Sequence, residues 1–300
     1  MTSRCWTTFV SNFGSLALLV LLCVPPAEAQ HAHHVQSVRP SDTRLDSTVE
    51  HFVLQARKAS LPYERLEAAI AAGYRQVGPD FPGMGEHWVH IRQAVQPEID
   101  PMRPPVLSYV RVEGRPVLTG VAYTLPLRPG ETPPTYPAPG VWHTHDGSID
   151  EETLLLNPPP MHHTGTSDEV RLAMLHVWVW AENPSGVFEQ DNWALAFLRL
   201  GLPVPGHVTP QAGKALFLLS GGVDYYARLI DVAGSPSPED AAAARTILEK
   251  YKEAVAAAVT EHEDDDGRVA ALSDLWLSMW SDIESGVANA IWDRIRMLAG

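Results

Sequence analysis

The spacing of apolar residues divides the chain into three parts. Residues 46–72 carry apolar side chains at helical spacing, and residues 86–180 carry them in short runs typical of strands. Helical spacing returns after residue 210. The first part predicts one helix over 46–60 and a second over 61–72, with Gly73 as the C-terminal stop.

The middle part predicts an antiparallel sheet. Its apolar runs predict five strands: 86–91, 106–112, 117–127, 141–145 and 170–180. The second and third strands are joined by a short turn and form the clearest hairpin, whereas a breaker-rich stretch at 78–85 and a long stretch at 146–168 predict loops. In the last strand His176, Trp178 and Trp180 share one face, which predicts an inner strand with one face lining a cavity.

The C-terminal part is helical. Its periodicity predicts helices over 214–219, 223–232, 238–260 and 268–298, of which the last two form an antiparallel pair. A short helix is predicted over 192–200, with Asp191 as its N-cap. The chain as a whole therefore predicts an α+β fold, with a central antiparallel β-sheet or barrel flanked by N-terminal and C-terminal helices. Residues 46–205 form the helices and β-rich core, and residues 206–300 a C-terminal helical region.

The first 45 residues are predicted to lie outside this fold. Residues 1–29 have a basic start, an apolar centre and a small-x-small cleavage pattern at Ala27 and Ala29, which predicts a secretory signal peptide. The apolar centre is too short to anchor the protein stably in a membrane. Residues 30–45 predict a flexible tail that contains His31, His33 and His34. We therefore expect a periplasmic or secreted protein.

Composition narrows the possible chemistry. Both cysteines, Cys5 and Cys23, lie within the signal, so a metal site in the mature chain must use histidines and carboxylates rather than thiolates. A net charge of −14 without a stripe of Lys or Arg argues against a nucleic-acid partner. The chain has no Gly-x-Ser-x-Gly elbow, phosphate loop or His-Glu-x-x-His helix. Serine hydrolase, nucleotide and common zinc-protease chemistry therefore have no support.

Histidines carried by the predicted strands are the candidate chemistry. His143 and His145 are one residue apart, so on a strand they point to the same face. His176 is the first choice for a third ligand and His87 for a fourth. These four side chains predict a site for a divalent metal, with zinc, iron and copper as candidates, that binds or transforms a small molecule. Glu182 and Glu151 are candidates for a general base.

A second interpretation stays open. The histidines are then structural groups within the sheet, and the protein is a non-enzymatic binding or interaction module. Its aromatic side chains line a groove or simply pack a core; these are Trp88, Trp142, Trp178 and Trp180. In both interpretations His51 and His90 are not ligands, since His51 lies on a helix and His90 lies on the opposite face of its strand from His87.

Two resemblances bear on these alternatives. The segments Gly83-Met84-Gly85-Glu86-His87-Trp88 and 175–188, with Pro105–Tyr109 between them, resemble a group of exported bacterial proteins with no assigned activity. That resemblance covers about residues 60–200 and implies a shared fold. The order His143, His145, Glu151 and His176 is similar to the metal-binding pattern of cupins, which implies a small β-barrel. The chain departs from the cupin motif, since Gly140 is only three residues before His143 and no Pro-x-Gly precedes His176.

Overall fold

The described part of the chain contains an open, six-stranded antiparallel sheet. Helices precede the sheet in the sequence and follow it. The computed structural model describes residues 47–145, 171–234, 236–262 and 264–286, with only the backbone of His145, Ala233 and Gly234. The predicted α+β class is confirmed. The predicted signal, the tail and the whole of the predicted 146–168 loop, with Glu151, lie outside the described residues.

Two helices precede the sheet, as the apolar spacing predicts. Helix α1 spans Ser47–Ser60 and helix α2 spans Leu66–Ala72, with a 3₁₀ turn, Leu61–Tyr63, between them. Phe52 and Ala56 are buried on the predicted face of α1. Gly73 ends α2 with a left-handed φ of 106° and donates its backbone N–H to the carbonyl of Ile70, a conformation that favours glycine.

The strands follow the predicted order, with one addition at the N-terminal side. They are β1 Arg75–Phe81, β2 Gly85–Val89, β3 Val106–Val112, β4 Arg115–Leu127, β5 His143–His145 and β6 Arg171–Val177. A short helix, α3, spans Ile91–Ala94. The strand order in the sheet is β1-β2-β3-β4-β6-β5, and all neighbours are antiparallel. The β3–β4 hairpin and the inner position of β6 are confirmed.

The predicted alternative of a barrel is wrong, because the sheet stays open. Its edges are β1 and β5, and a closed barrel would need these two strands to pair. The described part of β5 has only three residues. The β1–β2 ladder is interrupted between Val77 and Asp80, where Gly78 and Pro79 stand. Proline cannot donate to a ladder and is found at edges and bulges, so this strand suits an edge.

Strand β1 is also a correction to the predicted loop at 78–85. Glycine and proline in that stretch predict a loop, yet Asp80 and Phe81 pair with Glu86 and Gly85 on the far side of the bulge. Gly85 itself has a φ of 80°, and a Cβ there would lie 2.4 Å from the carbonyl oxygen of Tyr109. Only glycine allows β2 to begin this close to β3.

The two faces of the sheet are covered differently. One face packs on α1 and α2 through a core that contains Phe52, Leu66, Leu107, Tyr123 and Leu175. Side chains alternate along each strand, so the residues between these apolar positions point to the other face. Three of the predicted ligand histidines, His87, His143 and His176, lie on that second face.

The C-terminal helices form a separate hydrophobic core that reaches the sheet at one end. The helices are α4 Leu195–Arg199, α5 Pro210–Phe217, α6 Gly222–Gly234, α7 Pro238–Glu261 and α8 Asp265–Gly286. Phe81 and Met84, from the β1–β2 connection, are buried in the same core as Trp276 and Leu248. The predicted helices are confirmed in outline, and the end of the last one falls outside the described residues. None of the helices described here is both long enough and apolar enough to cross a membrane.

The predicted N-cap at Asp191 is wrong. The side-chain oxygen of Asn192 accepts the backbone N–H of Ala194, and helix α4 begins only at Leu195. The Asp191 carboxyl turns instead toward Gly83, where a Cβ would lie 2.7 Å from its Oδ1. Burial raises the pKa of this carboxyl to about 6, although the positive charge of Lys214 opposes the shift.

This buried carboxyl gives a pH prediction. The pKa of this carboxyl is about 6 in the folded state and 3.8 ordinarily, so between these pH values the folded state binds a proton that the unfolded state has lost. The free energy of unfolding therefore falls as pH rises from 4 to 6. We expect Asp191→Asn to raise the free energy of unfolding by about 1–3 kcal/mol at pH 8 and by much less at pH 4. Urea denaturation at both pH values measures the difference. The exposed Asp274→Asn is the control, and an equal gain from Asp191→Asn at both pH values would contradict the prediction.

Candidate metal centre

Three of the four predicted ligands lie on one face of the sheet. In the strand registers His87 is opposite Ser108, Ala122 is opposite His176, and His143 is opposite Met174. Residues directly opposite each other on antiparallel strands point to the same face. The alternation of β2, β5 and β6 therefore brings these histidines to a common surface.

His176 is the central ring of this group. Its ring centre is 5.8 Å from that of His87 and 5.4 Å from that of His143. Strands β2 and β6 are separated by two strands, so at about 4.8 Å per strand their backbones would be about 14 Å apart in a flat sheet. The close approach of His87 and His176 therefore requires a curved sheet and rings that lean toward each other.

Small residues lie in the register positions between these two rings. Ser108 is opposite His87 on β3, Gly120 is opposite Ser108 on β4, and Ala122 is opposite His176. A Cβ at Gly120 would lie 2.9 Å from the carbonyl oxygen of Val177 and 3.1 Å from the indole ring of Trp178. Large side chains at these positions would fill the space that the imidazoles cross.

The ring spacing suits a shared metal ion. A metal–nitrogen bond of about 2.1 Å places the centre of a ligating imidazole about 3.2 Å from the ion, so two such rings at a tetrahedral angle have centres about 5.2 Å apart. The two measured separations are 5.4 and 5.8 Å. Rotation about χ2 turns the ring nitrogens and leaves the ring centre almost in place, so it can aim the nitrogens without moving the backbone.

The ring nitrogens of these histidines are not gathered around one point in the structure. Within residues 47–145, 171–234, 236–262 and 264–286, no group of three or more His, Cys, Asp or Glu side chains is arranged to hold an ion as it stands. The side chain of His145, the remaining predicted ligand, lies outside the described residues, and so does Glu151. Glu182 is described and is exposed in the chain that follows β6. The roles predicted for His145, Glu151 and Glu182 stay predictions.

The surroundings of the rings are buried and largely apolar. His176 is 1% exposed and His87 is 6% exposed, whereas His143 is half-buried. The ring of His87 lies 5.5 Å from Phe81, and that of His176 lies 6.0 Å from Trp178. A small apolar cluster on the same face contains Val89, Val106, Ala122 and Met174. An ion held here would sit in a medium of low polarity, which strengthens its interaction with nearby dipoles.

Sequence reasoning missed Met174, which belongs to this cluster. Its Sδ lies 3.2 Å from the Nε2 of His176, and its backbone is opposite His143 in the β5–β6 register. A methionine in an apolar strand predicts only a core position. The alternation along β6 was the available signal, since Met174 and His176 are two residues apart and share a face.

A pocket has one wall residue, Thr124, on the same face of the sheet as the histidines. It has a volume of about 240 Å³ and lies between the α3 region and β4; its walls include Gln93, Ile99, Asp100, Arg103, Tyr123 and Thr124. Thr124 is directly opposite Met174 in the β4–β6 register. The lining carries both signs of charge and apolar surface, which suits a small polar molecule.

The four tryptophans do not share one surface. Trp88 and Trp142 are buried in the core under α1 and α2, and Trp180 packs against the same core. Trp180 donates its indole N–H to Ser60 and lies against the guanidinium of Arg57. Trp178 alone packs on the histidine face. The shared face predicted for Trp180 is wrong, because β6 ends at Val177 and strict alternation ends with it.

Comparisons with known proteins add no family to this geometry. No protein-family model, curated protein or solved structure matches the chain. The resemblance to exported bacterial proteins stays a prediction.

Proposed function

We propose that the chain is an exported protein that holds a transition-metal ion on the second face of its sheet and binds or transforms a small molecule there. The ligands in this proposal are the imidazoles of His176 and His143, with His87 as a further ligand or a hydrogen-bonding neighbour. The observation that carries the proposal is the convergence of three strand-borne imidazoles, with ring centres 5.4 and 5.8 Å apart.

Ordinary structural histidines account less well for the arrangement. Strands β2 and β6 are not neighbours, so no ladder pairing requires His87 to approach His176. Rings from three strands brought together across Gly120 and Ala122 suit one shared ion, and imidazole is a common ligand of zinc, copper and iron.

The pocket beside Thr124 suggests where the small molecule binds. Thr124, in the pocket wall, lies opposite Met174, and the next pair on the same face of β4 and β6 is Ala122 with His176. A metal ion at the histidines could polarise an oxygen of a molecule in this pocket or activate a bound water. Arg103 is a candidate for pairing with an anionic group of that molecule.

Metal addition gives the direct test. If the chain binds Zn²⁺ or Cu²⁺ only when folded, an ion at 100 times its dissociation constant adds about 2.7 kcal/mol to the free energy of unfolding. For a chain of this size we expect the melting temperature to rise by about 5–10 °C. Thermal unfolding followed by circular dichroism, with and without the ion, measures the shift.

The predicted tail needs its own control, because His31, His33 and His34 can bind metal loosely. The same scans on a chain with these three residues changed to alanine should show the same rise. Absence of any rise with Zn²⁺, Cu²⁺ or Fe²⁺, or a rise that disappears with the tail histidines, would refute the proposal.

A further inference from the structure

We infer that Met174 is a ligand of the same centre and that the ion it selects is Cu(I). This inference rests on the proposed function and names its metal. The observation that carries this inference is the position of Met174 next to two of the histidines: its sulfur lies 3.2 Å from the Nε2 of His176, and its backbone is opposite His143.

The sulfur–nitrogen distance suits two ligands of one ion. With a metal–nitrogen bond of about 2.1 Å and a metal–sulfur bond of about 2.3 Å, ligand atoms at angles of 90–110° lie about 3.1–3.6 Å apart. The measured 3.2 Å falls in this range. His143, Met174 and His176 therefore offer two nitrogens and one thioether sulfur from two adjacent strands.

The ligand type points to copper in its lower oxidation state. A thioether is a soft, uncharged donor that favours Cu(I), whereas zinc and iron favour imidazole with carboxylate or thiolate. Neutral imidazoles and a thioether supply no negative charge. No aspartate or glutamate joins these histidines in a metal-binding group in the part of the chain that the structure describes.

Burial gives the same preference. Met174 is 9% exposed and packs with Val89, Val106 and Ala122. The cost of moving an ion from water into such a medium grows with the square of its charge, so a monovalent ion is much less costly to bury than a divalent ion. An uncharged ligand set in an apolar cluster therefore favours Cu⁺ over Zn²⁺ or Cu²⁺.

Met174→Leu tests the inference, because leucine has nearly the same volume and lacks the sulfur. We expect wild-type protein to bind one Cu(I) in an anaerobic competition with bathocuproine disulfonate, and Met174→Leu to bind it about 100-fold more weakly. Zn²⁺ affinity should change less than about threefold, since the imidazoles remain. Met279→Leu is the matched control, because Met279 is fully buried in helix α8.

The outcomes separate this inference from the proposed function. Unchanged Cu(I) affinity in Met174→Leu would overturn the role of the sulfur while leaving a histidine site in place. Wild-type protein that binds Zn²⁺ and not Cu(I) would overturn the choice of metal alone. Wild-type protein that binds none of Cu(I), Cu²⁺, Zn²⁺ and Fe²⁺ would overturn both. Copper-edge X-ray absorption provides a second measurement: a sulfur shell at about 2.3 Å in wild type that is absent in Met174→Leu supports the inference, and its absence from wild type contradicts it.

Discussion

Arg199→Ala is expected to lower the free energy of unfolding by about 3–5 kcal/mol, the usual cost of leaving one partner of a buried ion pair uncompensated. The side chain of Arg199 is 1% exposed. Its guanidinium donates hydrogen bonds to both carboxylate oxygens of Asp80, and to the backbone carbonyl of Phe81 at 3.0 Å. It also lies 4.9 Å from the ring centre of Phe217. Removing it leaves Asp80 charged in a largely enclosed position.

This pair joins the two hydrophobic cores. Asp80 lies at the end of β1, and Arg199 is the last residue of α4, which leads into the C-terminal helices. Burial raises the pKa of Asp80, and the Arg199 guanidinium opposes that shift. Without Arg199 the pKa of Asp80 should rise further, so the loss of stability should be smaller at pH 4, where the carboxyl can take up a proton, than at pH 7.

The control is an exposed pair of the same types. Arg115 donates to Glu113 at 2.9 Å, and both side chains are more than three-quarters exposed. Arg115→Ala should cost less than about 1 kcal/mol in the same urea denaturation. Similar losses from Arg115→Ala and Arg199→Ala would contradict the account. The double variant Asp80→Leu, Arg199→Met should recover stability, because it removes both charges together.

His176→Gln is expected to lower metal affinity by at least about 100-fold, since direct ligands contribute no less than the outer groups that orient them. His176 is the only one of the three described ligand candidates whose ring is close to both others. His143→Ala is a second variant on a shorter edge strand, in case the buried His176 position does not tolerate glutamine. Chelator-competition titrations of Zn²⁺ and Cu(I) measure both variants.

His90→Gln is the matched control for these titrations. His90 is one residue beyond β2, and its ring packs 5.4 Å from Tyr74, away from the histidine face. It should keep wild-type affinity. An equal loss in His90→Gln and His176→Gln would show that any histidine change disturbs the fold, and unchanged affinity in both His176→Gln and His143→Ala would exclude them as ligands.

Periodicity in the sequence was sufficient to predict the helices and the β3–β4 hairpin, since a period of 3.6 or 2 is a local property of the chain. It also predicted that His176 and Trp178 share a face. It did not predict β1, because Gly78 and Pro79 interrupt that strand, and its pairing with β2 depends on a bulge that only the folded sheet reveals. Whether the sheet is open or closed into a barrel likewise depends on whether its two edge strands, β1 and β5, pair with each other, and these strands are far apart in the sequence.

The histidines of the proposed site stand out in the sequence, but their relative positions do not. His-x-His spacing on a strand marks His143, but the approach of His87 depends on the curvature of the sheet over Ser108, Gly120 and Ala122. Met174 carries no polar signal, so nothing local distinguishes it from a core methionine. Its proposed role as a ligand follows only from the position of its sulfur beside His176.

X-ray absorption at the metal edge tests the central claim most directly. The sample is the metal-loaded chain in which the tail histidines His31, His33 and His34 are replaced by alanine, so that only the folded part can supply imidazole. We predict that the spectrum shows the multiple scattering of at least two imidazoles, with nitrogen at about 2.0–2.1 Å from the metal. This signal should be lost in His176→Gln. A shell of oxygen ligands alone, or no bound metal, would contradict the account.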